Sequence, residues 1–280
     1  NRRGKMEHVN GLLNKELNKI NRDEEQKIVA QLIKRLEIEF RKKDKSGIYG
    51  TTQYLLAYNS NRIEGSRLTE KQTLSLFETG TVIASGEIIR AKDVEEATGH
   101  FMMFNEMLST YKETLQEELI KKYHFRLKSG VFEDLANGYP VGEYKNRVNR
   151  VADIKTALPS EVSAKMKDLI QRYNEKTNID LGTLAEFHLE YERIHPFQDG
   201  NGRTGRILLF KECLKNGIMP FIIRDEDKLQ YYMALQKNDK HELKNFFALE
   251  QKNYYKLVQE FLMVYIPKKD TPKESRIPKI

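Results

Sequence analysis

The stretch His195-Pro-Phe-Gln-Asp-Gly-Asn-Gly-Arg-Thr-Gly-Arg206 places a base, a carboxylate, a bare-backbone turn and two cations in one loop. Before it, Leu184, Phe187, Tyr191 and Ile194 recur at helical spacing; after it, Ile207 to Leu214 is a mostly apolar run that Asn216-Gly217 ends. The loop therefore joins two helices, Pro196 closing the first and the second starting near Gly202. Free N–H groups at that start, with Arg203 and Arg206 in its first turn and glycines that let an anion approach the backbone, make a site suited to a polyphosphate. Asp199 can carry Mg2+ there, and His195 lies within loop reach to take a proton from an attacking hydroxyl.

The rest of the chain reads as helical scaffold. Ile28, Val29, Leu32, Ile33, Leu36 and Phe40 give residues 22–43 one apolar face, and Lys45-Ser-Gly47 breaks that helix. A second helix around Tyr54, Leu55 and Tyr58 runs to Glu64-Gly65, where the glycine reads as a stop. Thr69 with Gln72 has capping-box spacing, and Asp93-Val-Glu-Glu96 repeats that start signal before a helix through Phe101, Phe104, Leu108 and Tyr111. Leu115, Leu119 and Leu127 mark another apolar face; Val162, Met166, Leu169 and Tyr173 mark the next. Two further helices are expected, one through Leu229, Tyr232 and Leu235 and one from Leu243 to about Tyr265. Only Gly142 to Val151, flanked by turn residues and partly alternating, suits a short exposed strand or hairpin able to bind an extended peptide by main-chain hydrogen bonds.

The chain has 280 residues, 39% of them hydrophobic, enough for a sizeable core. No apolar stretch approaches the roughly 20 residues that span a bilayer, and the first residues lack a secretory signal, so a cytoplasmic location and no membrane partner are expected. The single cysteine, Cys213, lies in an apolar run and reads as a core thiol. A formal charge of +7 would suit nucleic acid, but no reader motif accompanies it, and a solvated charged surface is the expectation. His188 lies two turns before His195 and reads as a core histidine with one hydrogen bond; His8, His100, His124 and His241 are scattered and receive no role. No Cys/His cluster supports zinc.

The loop resembles the signature of the Fic family, His-x-Phe-x-(Asp/Glu)-Gly-Asn-Gly-Arg-x-x-Arg. Every fixed position is met by His195, Phe197, Asp199, Gly200, Asn201, Gly202, Arg203 and Arg206. The resemblance implies an all-α, mainly helical Fic fold with a small β-hairpin flap: residues 1–90 an N-terminal helical region, 91–265 the catalytic core with its flap at about 142–152, and 266–280 a flexible tail. It implies transfer of AMP from ATP to a Ser, Thr or Tyr hydroxyl of a target protein. His195 would be the general base and Asp199 the Mg2+ ligand. Gly200, Asn201 and Gly202 would supply the anion hole, Thr204 and Gly205 would also bind the nucleotide or its phosphates, while Arg203 meets the phosphates, Arg206 the γ-phosphate, and Phe197 anchors the loop. The flap would dock the target, with Asn149, Arg150, Val151 and Ala152 nearest nucleotide and substrate. Tyr231, Tyr232 and Asn238 or Asp239 fall where the family contacts adenosine, although ordinary helix packing explains both tyrosines equally well.

A shorter motif precedes the core. Ser60-Asn-Arg-Ile-Glu64-Gly65 is similar to the family's inhibitory pattern, (Ser/Thr)-x-x-x-Glu-(Gly/Asn), on a helix at about 50–65. A Glu64 carboxylate paired with Arg206 would remove the cation that orients the γ-phosphate. The alternatives on the same fold are removal of AMP, transfer of another nucleotide-derived group, or a non-catalytic ATP-responsive binding module. Self-association is left open.

Overall fold

The computed structural model describes residues 23–151 and 154–263, and its helices follow the apolar spacing of the sequence. Helix α1 covers 23–42, α2 Ile48–Ile63, α3 Glu70–Thr79, α4 Ala91–Thr110, α5 Glu117–Lys128 and α6 Phe132–Ala136. Strands β1 (Arg150–Val151) and β2 (Ile154–Lys155) follow, then α7 Pro159–Asn174, α8 Leu181–Ile194, α9 Asn201–Lys215, a 3-10 turn at Asp225–Asp227, α10 Lys228–Lys237 and α11 Lys240–Met263. Ala152, residues 1–22 and the tail at 266–280 lie outside the described residues. Among those described, no helix is long and apolar enough to cross a membrane.

Helix α9 is the axis of the fold. It is buried from Asn201 to Leu214, and α2, α4, α5 and α8 pack around it. A helix enclosed on all sides must satisfy its polar groups internally. Lys211 accordingly pairs with Glu212 at 2.6 Å, and the Tyr173 hydroxyl donates to Glu212 at 2.8 Å. Cys213 is buried here and free, as a core thiol.

Local signals hold at most helix ends. Thr69 and Gln72 form the capping box that starts α3. Gly65 takes φ +90 after α2, and the Ser66 N–H reaches back to the Asn61 carbonyl at 2.9 Å, a left-handed stop that only glycine adopts without strain. Helix α8 starts at Asp180, whose carboxylate accepts the Thr183 N–H at 2.8 Å, and ends at His195, in the left-handed region at φ +51.

Three expectations shift. Helix α4 begins at Ala91, so Asp93 lies inside its first turn; Arg90 grips that carboxylate through two hydrogen bonds and the Arg67 N–H adds a third, which leaves it no capping role. The buried side of α10 is Tyr231, Ala234 and Leu235, while Leu229 and Tyr232 face outward. The hairpin is shorter and later than the alternation implied. Among the described residues only Arg150 with Lys155 and Val151 with Ile154 pair, antiparallel, because the preceding segment is tied to the core instead: Gly142 N–H donates to His124 Nδ1 and Lys145 N–H to the Pro196 carbonyl.

Candidate active site

Pro196 to Gly200 connect α8 to α9, and the sequence holds that connection by its own side chains. Asn201 Oδ1 accepts the Phe197 N–H and Asn201 Nδ2 donates to the Phe197 carbonyl, both at 2.8 Å, so one buried amide clips both main-chain groups of a single loop residue. Phe197 is enclosed and stacks on His124, ring centroids 3.8 Å apart and nearly parallel. His124 Nδ1 accepts from Gly142, so its Nε2 donates to the Asp199 carbonyl at 2.8 Å. Gly200 takes φ +87 to turn the chain into α9, whose Thr204 hydroxyl donates back to its carbonyl at 2.9 Å. The N–H groups of Asn201, Gly202 and Arg203 have no partner within α9 by helix geometry, and they point out of its N-terminus.

Behind the loop lies a buried charge network that local sequence signals did not mark. Lys128 Nζ contacts Glu96 at 2.6 Å, Asp134 at 2.7 Å and Asp199 at 2.8 Å. Arg203 pairs with Glu96 at 2.6 Å and more loosely with Asp199 and Asn61, and its side chain is only 2% exposed. Arg203 therefore organises the underside of the loop rather than standing open to solvent. Burial would raise the Asp199 carboxyl, but Arg203 and Lys128 outweigh it and hold the group far below the usual carboxylate range. Its side chain remains 35% exposed.

Arg206 lies one helical turn on and is turned wholly toward α2. Its Nε donates to the Ser60 hydroxyl at 2.8 Å and its second terminal nitrogen to the Ser60 carbonyl at 3.0 Å and Glu64 Oε1 at 2.6 Å. The arginine side chain is 4% exposed and that of Glu64 30%. The end of α2 is anchored from the other side: Tyr232 donates to the Ile63 carbonyl and Asn59 accepts the Asp225 N–H, both at 2.9 Å. Ser60 and Glu64 are thus brought to Arg206, while the Gly65 carbonyl accepts from Arg90.

His195 is held back over α8. Burial and the Lys145 charge push its imidazole down to about 4, so it is neutral and able to accept a proton. Lys145 is itself buried, donates to Asn149 Oδ1 at 2.6 Å, and is pushed down to about 8 by desolvation. Asn149 links the segment before the hairpin to the loop, donating to the Phe197 carbonyl at 2.8 Å. Arg150 and Val151 continue as β1, Arg150 exposed and Val151 half-buried.

The remaining expected residues divide. Gly205 packs its bare backbone against Glu192 and His188. Tyr231 is enclosed and bonded to His188 Nε2 at 2.7 Å, which makes His188 the core histidine its position implied. Tyr232 is partly open beside Glu64's helix. Asp239 caps α11 by accepting the His241 and Glu242 N–H groups, and Asn238 accepts from Arg193, bonds that stay at the edge of α8, α10 and α11. Lys128, Glu96, His124 and Lys145 were missed because each reaches the loop across a large sequence separation that no local pattern records.

The helical fold thus carries a glycine-lined helix start together with a neutral histidine and a buried arginine. Residues 114–213 match the model of the Fic/DOC family. The chain is 26% identical over 217 residues to protein adenylyltransferase fic-1 of Caenorhabditis elegans, covering 75% of this chain and 41% of that protein. It is 28% identical over 196 residues to protein adenylyltransferase Fic of Nematostella vectensis, covering 68% and 44%. The chain thus spans less than half the length of these relatives. The fold is shared with a Fic domain containing signaling protein from Bacteroides thetaiotaomicron (TM-score 0.63, 24% identity, 83% of this chain and 94% of that one). It is shared as well with a Fic-1 fragment from C. elegans (TM-score 0.62, 22% identity, 86% and 72%).

Proposed function

We propose that this protein transfers AMP from ATP to a Ser, Thr or Tyr hydroxyl of a target protein, and that Glu64 restrains it by holding Arg206. The observation that carries the reading is the shared anion site. The N–H groups at the start of α9 and the Arg206 guanidinium face a carboxylate from α2, whose charge also acts on the neutral His195.

In this reading the N–H groups of Asn201, Gly202 and Arg203 receive the phosphates, and Arg206 receives the γ-phosphate once Glu64 withdraws. The target oxygen attacks the α-phosphorus, its proton passes to the free nitrogen of His195, and the bond to the β-phosphate oxygen breaks to release pyrophosphate. Positioning and charge neutralisation supply most of the rate. Asp199 suits Mg2+: it is ionised, more than a third exposed, and at the loop mouth. Among the described residues no group of three or more His, Cys, Asp or Glu could hold a metal, so such an ion would be one shared with the nucleotide phosphates, as is usual for Mg2+. Bound there, it would neutralise charge on the α- and β-phosphates. Asn149, which ties the hairpin to the loop, and Arg150 and Val151 of β1 would present the target, with Ala152 following in sequence, and Tyr232 would flank the adenosine.

Incubating wild type, Glu64→Gly and His195→Ala with a cell lysate and ATP labelled on the α-phosphate tests the reading. Label should enter protein strongly with Glu64→Gly and not at all with His195→Ala. No label with any of them would refute AMP transfer.

A further inference from the structure

Glu192 lies on the last turn of α8, three residues before His195, and the left-handed turn at His195 folds the imidazole back over it. Its carboxylate is mostly buried and poorly matched. Oε1 is out of reach of solvent with no hydrogen-bond partner, 3.7 Å from His188 Nε2, and Oε2 lies 3.8 Å from His195 Nδ1. That Nδ1 is likewise buried and, among the described residues, has no well-aligned hydrogen-bond partner, with only the main-chain carbonyl of Glu192 close to the ring. Gly205 leaves room for the group: a β-carbon there would come within 2.9 Å of Glu192 Oε1. Two buried polar groups a short movement apart, one of them on the base, are costly to maintain without a use.

We propose that Glu192 is the positioning residue of His195: its carboxylate accepts the Nδ1–H of the imidazole when the site engages substrate, directing the other ring nitrogen to the target hydroxyl. This rests on the function proposed above and extends it. When the hydroxyl proton moves to Nε2 the ring becomes imidazolium, and the carboxylate at Nδ1 stabilises that charge without taking the proton itself. The proton leaves to solvent after AMP has moved.

Ionisation of Glu192 is coupled to the Glu64–Arg206 pair. Facing the carboxyl are His188 on α8, Arg206 on α9, Glu64 on α2, and Tyr231 and Tyr232 on α10; His195 is additionally under Lys145 and Asp199. Burial raises Glu192 to about 8, Arg206 opposes the rise and Glu64 adds to it. With Glu64 in place Glu192 is largely protonated at neutral pH, and the base lacks an anionic partner. Once Glu64 withdraws and the γ-phosphate takes its place on Arg206, the positive charge that forms on the adjacent His195 ring favours the ionised carboxyl.

The test compares Glu64→Gly with Glu64→Gly/Glu192→Gln, and with Glu64→Gly/Glu192→Leu should the Gln variant not fold. The main-chain carbonyl of residue 192, which also lies near the ring, is kept in both. Removing the carboxyl should lower kcat roughly tenfold or more, within the usual range for a group acting on a general base, with KM for ATP changed less than about twofold. The acid limb of the pH profile should move to lower pH. An unchanged kcat and profile would overturn the proposal. The His195 ring is also titrated by NMR, its signal assigned by loss in His195→Ala. The neutral ring should hold its proton on Nδ1 with the carboxyl present and shift toward a mixture of tautomers without it, which supports the proposal; an unchanged tautomer refutes it, even if Glu64→Gly transfers no AMP and the functional reading itself fails.

Discussion

The carboxylate of Glu64 occupies the space that a side chain at Gly202 would fill: a β-carbon on Gly202 would lie 2.2 Å from Glu64 Oε1 and 2.9 Å from an Arg206 terminal nitrogen. Glycine at 202 therefore serves any anion that approaches the start of α9, whether carboxylate or phosphate. Gly202→Ala should weaken ATP binding about tenfold or more in a Glu64→Gly background, measured by titration calorimetry, because its methyl group blocks the backbone even when Glu64 is gone. Unchanged affinity would mean that the phosphates bind elsewhere.

Competition for Arg206 predicts a stability signature. Removing Glu64 leaves a buried guanidinium without its anion, so Glu64→Gly should melt below wild type without nucleotide. ATP should restore more stability to the variant than to wild type, approaching about 2.7 kcal/mol at a hundredfold excess over Kd. Thermal melts with and without ATP check this, and equal shifts in the two proteins would argue against a shared site.

Lys128 satisfies three carboxylates with a side chain 1% exposed. Lys128→Met should strand Glu96, Asp134 and Asp199 and cost about 3–5 kcal/mol by urea unfolding, as for a buried ion pair that loses one partner. It should also free Asp199 from its tether and impair activity beyond the loss of stability. A loss below about 1 kcal/mol would show that the carboxylates find other partners.

Much of the fold and half of the site were legible, for reasons visible in particular residues. His195 to Arg206 are contiguous, so their chemistry is written in order, and Gly65 and Thr69 act on neighbours only. Ser60 and Glu64 became meaningful only beside Arg206, a pairing that needs the packing of α2 on α9. Arg203 reads as a phosphate ligand until Glu96 is seen to claim it. Asp93 looks like a cap until Arg90 takes its carboxylate, and Asp239 is used to cap α11. Arg203 and Asp93 are engaged by charged partners, whereas Asp239 is engaged by main-chain groups two and three residues on.

The buried ionisable groups set the pH dependence of folding. His100, His124 and His188 are pushed down to about 3, and His195 to about 4, with burial the largest cause in each. Their unfolded values lie near 6.5, so the unfolded chain binds more protons below that pH and stability falls as pH drops. Glu192 and Glu250, raised by burial to about 8 and about 7, work oppositely, losing stability as pH rises toward those values. The four histidines outnumber them, so unfolding free energy should climb from pH 5 to about 6.5 and then level or decline slightly toward 8. A maximum near pH 5 in urea titrations would contradict these assignments.

The most direct measurement is the mass of a target protein after incubation with ATP and either wild type, Glu64→Gly or Glu64→Gly/His195→Ala. The account predicts a gain of about 329 Da, the mass of a transferred AMP, with occupancy at least tenfold higher for Glu64→Gly than for wild type and none for the double variant. Equal occupancy with wild type and Glu64→Gly would contradict the restraint, and a gain of about 80 Da would contradict AMP transfer itself.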